Sequence, residues 1–206
     1  MPGKSLRLTP LAVMVLALLR EGDMHPYEMA RTLKQRRNDR MVPITNGTLY
    51  HTVARLQDAE LVREVGVDRE GNRPERTTYT LTDAGRDAVV AWVRAELPQN
   101  TRPAQFRVAL AEAHNLDRAE AVELLSQRRD ALIADLDGHH AGLAGAAERD
   151  TPPQFLIEID RQAELIETDL RWTRRLLTHL GDPNYLWGVD ARFPSSHHPE
   201  SKDATS

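Results

Sequence analysis

The chain of 206 residues contains no cysteine, which excludes a disulfide scaffold, a thiolate metal site and a cysteine nucleophile. It also lacks a P-loop and any glycine-rich cofactor loop. The paired histidines His139-His140 and His197-His198 have no partner of the HExxH kind. His139 and His140 are neighbours on a helical stretch and face different ways, so they do not chelate together. No catalytic residue, cofactor or metal ligand is therefore expected, and the chain is not read as an enzyme. Long apolar runs are absent too. Residues 11–19 form an unbroken apolar stretch behind Lys4 and Arg7, but a bilayer span needs about 20 residues. The stretch runs into Arg20-Glu21-Gly22-Asp23 with no small-residue cleavage site. It is read as a first core helix, in a cytoplasmic protein without a membrane segment.

The formal net charge is -4, which taken alone argues against nucleic acid. Its distribution reverses that. Residues 1–95 hold 15 Lys and Arg against 12 Asp and Glu, a surplus of three positive charges, whereas residues 96–206 hold 12 against 19. A local field of either sign, not the total, governs docking on DNA.

Residues 45–62, TNGTLYHTVARLQDAELV, are the most informative stretch. Thr45 or Asn46 can cap a helix, Gly47 permits close approach at its start, and Leu49, Val53, Leu56 and Leu61 form a buried stripe. Thr48, Tyr50, His51, Thr52 and Arg55 lie between them and can reach phosphates or base edges if the helix enters a major groove. An ordinary amphipathic helix is the plain alternative. Two shorter helices precede it. Thr9-Pro10 opens the first, over about 10–20, and Pro26 the second, over about 26–37. The second ends in Arg31, Lys34, Arg36 and Arg37, with Arg40 just beyond. Such cations suit a helix C-terminus, and Arg37 and Arg40 equally suit phosphate contact.

After the reading helix, 61–67 and 75–81 read as strands around a polar turn that carries Arg69 and Arg73. This is a wing whose tip can rest in or beside the minor groove. Thr82 caps a helix over 83–96, and Pro98 stops it. Leu97 to Pro103, with two prolines around polar residues, is the expected boundary. Beyond it come a short helix at 103–114 and a long one opened by an Asp117/Glu120 capping box and running to about 143. A second long helix runs to about 180. Two long amphipathic helices without a third partner call for a second copy of the chain. The expected fold is thus mainly α. An N-terminal winged helix-turn-helix of three helices and a two-stranded wing spans 1–97, and a C-terminal helical dimerisation domain spans 103–180. A tail over 181–206 is expected to be disordered.

Several motifs in order carry a family resemblance: Leu16-Ala17-Leu18-Leu19, then Gly22-x-Met24-His25-x-Tyr27-Glu28-Met29, then Gly47-Thr48-Leu49-Tyr50 with Leu56 and Leu61-Val62, and last Tyr79-x-Leu81-Thr82-x-x-Gly85-Arg86. Over residues 8–95 the chain resembles the PadR family of winged-helix transcriptional regulators. It is similar to the longer-tailed branch and to virulence-gene activators of the AphA type. Pro26 departs from the family's usual glycine. The resemblance implies a homodimeric repressor on a pseudo-palindromic operator, released by a small hydrophobic or aromatic effector. It implies Asn46, Thr48, Tyr50, His51 and Arg55 as reading-helix contacts, with Tyr27, Arg73 and Arg76 on the backbone or wing. Trp92 and Trp172 are candidates to stack on a planar effector, with core packing as the alternative. The competing function is a winged-helix protein-interaction module, which would show no salt-dependent DNA affinity.

Overall fold

Helix α1 (Pro10–Leu19) starts where the Thr9 hydroxyl accepts the Ala12 N–H at 3.3 Å. Its residues 11–16, 18 and 19 are buried on almost every side, because α1 lies in the middle of the N-terminal half. In the computed structural model, which describes residues 7–68 and 76–188, the chain is mainly α with one β-hairpin among those residues.

Helix α2 (Pro26–Gln35) is capped by histidine. His25 Nδ1 accepts the Tyr27 N–H at 3.0 Å while the Glu28 carboxylate accepts the His25 N–H at 3.1 Å. Histidine is outside the usual N-cap set, so sequence pattern alone does not flag it. The helix ends at Gln35, earlier than expected, because Arg37 turns left-handed at φ 56 and opens a 3₁₀ turn, Asn38–Arg40.

Helix α3 (Asn46–Asp58) buries Leu49, Val53 and Leu56. Thr45, rather than Asn46, is its cap. Glu60, left-handed at φ 59, turns the chain out of the helix. Strands β1 (Val62–Asp68) and β2 (Arg76–Leu81) then pair antiparallel, with a bulge between Glu64 and Gly66. Met24 forms a bridge to Tyr79, with both N–H to carbonyl bonds at 3.1 Å. The segment leading into α2 is thereby fastened to the wing.

Helix α4 (Asp83–Glu96) begins at a corner that tolerates no side chain at Gly85. A Cβ there would fall on the Leu61 carbonyl and lie 2.6 Å from Leu81 Cδ1. Thr82 holds the corner by donating to the carbonyls of Glu60 and Leu61, each at 2.9 Å, and by accepting the Gly85 N–H at 3.0 Å.

Helix α5 (Pro103–Ala111) packs on α1 and α4. The expected boundary before it is pinned. Leu97 is fully buried, Arg102 pairs with Glu96 at 2.7 Å, and Asn100 bonds Asp135. A single apolar cluster runs from Leu11 through Leu97 and Phe106 to Leu125 and Leu180. The winged half and the start of the C-terminal helices share it.

Helices α6 (Arg118–Glu148) and α7 (Ile157–Gly181) run antiparallel, as contacts of Arg118 with Leu180, Arg128 with Asp169 and Gly142 with Ile159 show. The Asp117 side chain makes no capping bond, and Glu120 pairs instead with Arg94 of α4. The expected capping box is displaced by that ion pair. Helix α6 also continues past 143 despite its glycines. A Cβ on Gly142 would come within 3.2 Å of Ile159 Cδ1, so its absence admits α7 closely.

Helix α7 includes Gly181, and the following residues are anchored rather than free. Trp187 Nε1 donates to the Leu116 carbonyl at 2.9 Å, and Arg118 bonds the carbonyls of Asp182 and Tyr185. Residues 189–206 of the expected tail lie outside the described residues. No helix among the described residues is long and apolar enough to cross a membrane.

Candidate nucleic-acid interface

The outer surface of α3 carries the residues expected there. Asn46, Thr48, Tyr50, His51 and Arg55 are all exposed. Thr48, His51, Thr52 and Arg55 follow each other at three- and four-residue steps, which sets them along one face. Two of them are not free donors. Thr48 Oγ1 donates to the Thr45 carbonyl at 3.0 Å while accepting the Thr45 N–H at 3.1 Å, and Thr52 donates to the Thr48 carbonyl at 2.7 Å. The hydroxyls hold the start of the helix, and His51 and Arg55 offer the outward hydrogen-bonding groups.

Tyr50 faces α2. Its ring meets the His25 ring edge-on at 6.3 Å between centroids, with 74° between planes. Tyr50 remains 46% exposed and Tyr27, two residues after His25, 55% exposed. Nothing in the spacing of His25 signals a capping histidine beside Tyr50.

The basic cluster at the end of α2 divides. Arg36 is paired with Glu21, its Nη2 bonding Oε2 at 2.7 Å, and that hydrogen bond holds the Glu21 carboxyl below the usual carboxylate range. Arg36 therefore serves the fold. Arg31, Lys34, Arg37 and Arg40 are exposed, and their side chains have no ion-pair partner among the described residues; the main-chain carbonyl of Arg40 accepts from Arg107 at 3.0 Å. Arg69 and Arg73 lie outside the described residues. Arg76 opens β2 opposite Asp68. A further cation, Arg7, borders a cleft with Thr9, Ala12, Thr52, Arg55 and Leu56. No periodic signal marks it, since it precedes α1.

An exposed helix face, exposed cations beside it and a hairpin next to it make up a winged helix. The sequence model of the "Transcriptional regulator PadR-like family" matches residues 15–91. Residues 15–91 are thus similar to a PadR-like domain. The chain also aligns with the negative transcriptional regulator PadR of Bacillus subtilis. Identity is 26% over 138 residues, covering 65% of this chain and 75% of that protein. The crystal structure of Bacillus subtilis PadR in complex with operator DNA is similar at 20% identity and a TM-score of 0.41, covering 84% of this chain and 99% of that one. The same protein in complex with p-coumaric acid gives 19% identity and a TM-score of 0.37, covering 84% and 100%. The match likens residues 15–91 to a family of transcriptional regulators.

Beyond residues 15–91, the two tryptophans take different places. Trp92 on α4 is half-buried against the main core. Trp172 on α7 is half-buried and meets Phe106 edge-on at 6.5 Å. The guanidinium of Arg128 lies 3.5 Å from the Phe106 ring centroid, and Arg128 also bonds the Gln99 carbonyl and Asp169. A separate groove of about 400 Å³ between α6 and α7 is lined by Ile133, Leu136, Leu170 and charged neighbours. Neither tryptophan lines it.

Proposed function

We propose that the chain is a homodimeric, sequence-specific DNA-binding repressor of the longer-tailed PadR branch, acting in the cytoplasm and released by a small hydrophobic or aromatic effector. The outer face of α3, with Tyr50, His51 and Arg55 exposed beside exposed cations at the end of α2, carries this reading. That face enters the major groove, and Tyr27, Arg37, Arg40, Asn46 and Thr48 lie where backbone contact follows. The wing arginines Arg69, Arg73 and Arg76 belong to the same proposal.

Dimerisation falls to α6 and α7 within residues 103–180. In support, Phe155 at 72%, Ile157 at 66% and Leu165 at 47% are exposed near or along α7, apolar surface that a second copy would cover. An effector beside Trp172 or Trp92 would sit where α4, α5 and α7 meet the main core. Aromatic acids of the kind named for the Bacillus subtilis protein are the first probes, and Trp emission is the readout. Unchanged emission across such a panel would leave both rings as packing residues.

The test of the whole reading is selection of bound DNA from a random pool with the purified protein. Enrichment of a pseudo-palindrome with steep salt dependence supports it. No enrichment and no salt dependence would instead favour an interaction module.

A further inference from the structure

Arg7 and Arg55 stand on different elements, one before α1 and the other in α3, yet they border the same cleft. The other lining residues are Thr9, Ala12, Thr52 and Leu56, so no carboxylate faces it. The two hydroxyls are already engaged, Thr9 accepting the Ala12 N–H and Thr52 donating to the Thr48 carbonyl. Neither arginine makes an ion pair with a described residue. Asp58, one turn after Arg55, is exposed but does not line the cleft. The cleft is small, about 10 Å³, so an anion bridging two guanidiniums would sit at its mouth rather than within it.

We propose that Arg7 and Arg55 together clamp one backbone phosphate of the DNA, so that Arg55 is a positioning residue and His51 and Tyr50 are left to read bases. The proposal rests on the DNA-binding reading above and deepens it. A phosphate is a better occupant than a base edge because two guanidiniums approaching from different elements match its several oxygens, and because a phosphate lies at the groove wall rather than its floor. The stretch before α1 thereby becomes part of the interface.

The measurement is equilibrium binding of the full chain to its selected operator and to random duplex DNA across a salt series. The variants are Arg7→Ala, Arg55→Ala, the double variant and His51→Ala. Each arginine variant should weaken operator and random DNA by the same factor, about tenfold, and lower the salt slope by about one. The double variant should lose little more than either single one, because both serve one phosphate. Arg7 is exposed and outside any helix, so loss of binding without a change in melting temperature excludes misfolding.

Wild-type binding and slope in Arg7→Ala would overturn the clamp while leaving the regulator reading intact. A changed base preference in Arg55→Ala would make it a reader and overturn the clamp in the same way. Strictly additive losses would place the arginines on separate phosphates, also against it. Absence of salt-dependent binding by the wild-type chain would overturn both readings.

Discussion

The His25 ring stands edge-on to the Tyr50 ring across the gap between α2 and α3, with 6.3 Å between centroids. His25 is also the N-cap of α2, so one side chain sets the start of one helix and packs against Tyr50 on the next. Edge-to-face contacts of this kind contribute about 0.5–1.5 kcal/mol. Tyr50→Ala is expected to cost about 1–3 kcal/mol of operator affinity, and to lower stability by no more than the lost ring contact, about 0.5–1.5 kcal/mol. Fluorescence anisotropy with labelled operator, alongside thermal melting, checks both parts.

Gly85→Ala should destabilise the fold by about 1–3 kcal/mol, the usual cost of overpacking. The added methyl would strike a backbone carbonyl, that of Leu61, which cannot swing aside as a side chain does. Urea unfolding followed by circular dichroism measures it. An unchanged midpoint would mean that the α3–β1 corner yields.

Removing the carboxylate from Asp169 leaves the buried guanidinium of Arg128 without its ion-pair partner. Burial already pulls Arg128 below the usual arginine range, and Asp169 opposes that pull. Asp169→Ala should therefore cost about 2–4 kcal/mol, close to the value for breaking a buried pair and reduced because Asp169 is partly open. Arg128→Met, which removes the charge and keeps the volume, should cost less. Thermal unfolding of the two variants gives the order directly.

Burial pushes the Glu112 carboxyl above the usual carboxylate range, against the lowering effects of His114, Asn115 and Arg20. Between the unfolded and folded values the native state binds more protons, so stability falls as pH rises through that window and levels off above it. Glu112→Gln keeps an amide for Asn115 and removes the titration. The variant should show a flatter stability profile above the ordinary carboxylate range and gain on wild type at neutral pH. Denaturant midpoints from pH 4 to 8 test this.

Much of the winged half was legible because its signals are local. Thr9, Thr45 and Thr82 cap helices at the positions their sequence context marks, and the spacing of Leu49, Val53 and Leu56 gives the buried side of α3. What was not legible depends on residues far apart in the chain. The Met24–Tyr79 bridge joins segments 55 positions apart, and Arg36 looks like one more free cation until Glu21 is found beside it. Glu120 has the right spacing for a capping box with Asp117, but Arg94 of another helix takes it. Likewise the glycines of α6 weaken the helix on propensity alone, and only the approach of Ile159 to Gly142 gives a reason for one of them. For the candidate site, α3 showed its face, while His25 and Arg7 owe their positions to tertiary packing.

Helix α6 has 31 residues, which makes it a rod of about 46 Å at the usual rise per residue. Its first turns are embedded in the same core as α1, α4 and α5, so its base turns together with that core. A pivot of about 5° at that base would carry its far end through about 4 Å over such a length. Leverage works in both directions. In a dimer joined along these rods, a small change in their crossing angle would alter the distance between the two reading helices, and with it the fit to half-sites one DNA turn apart.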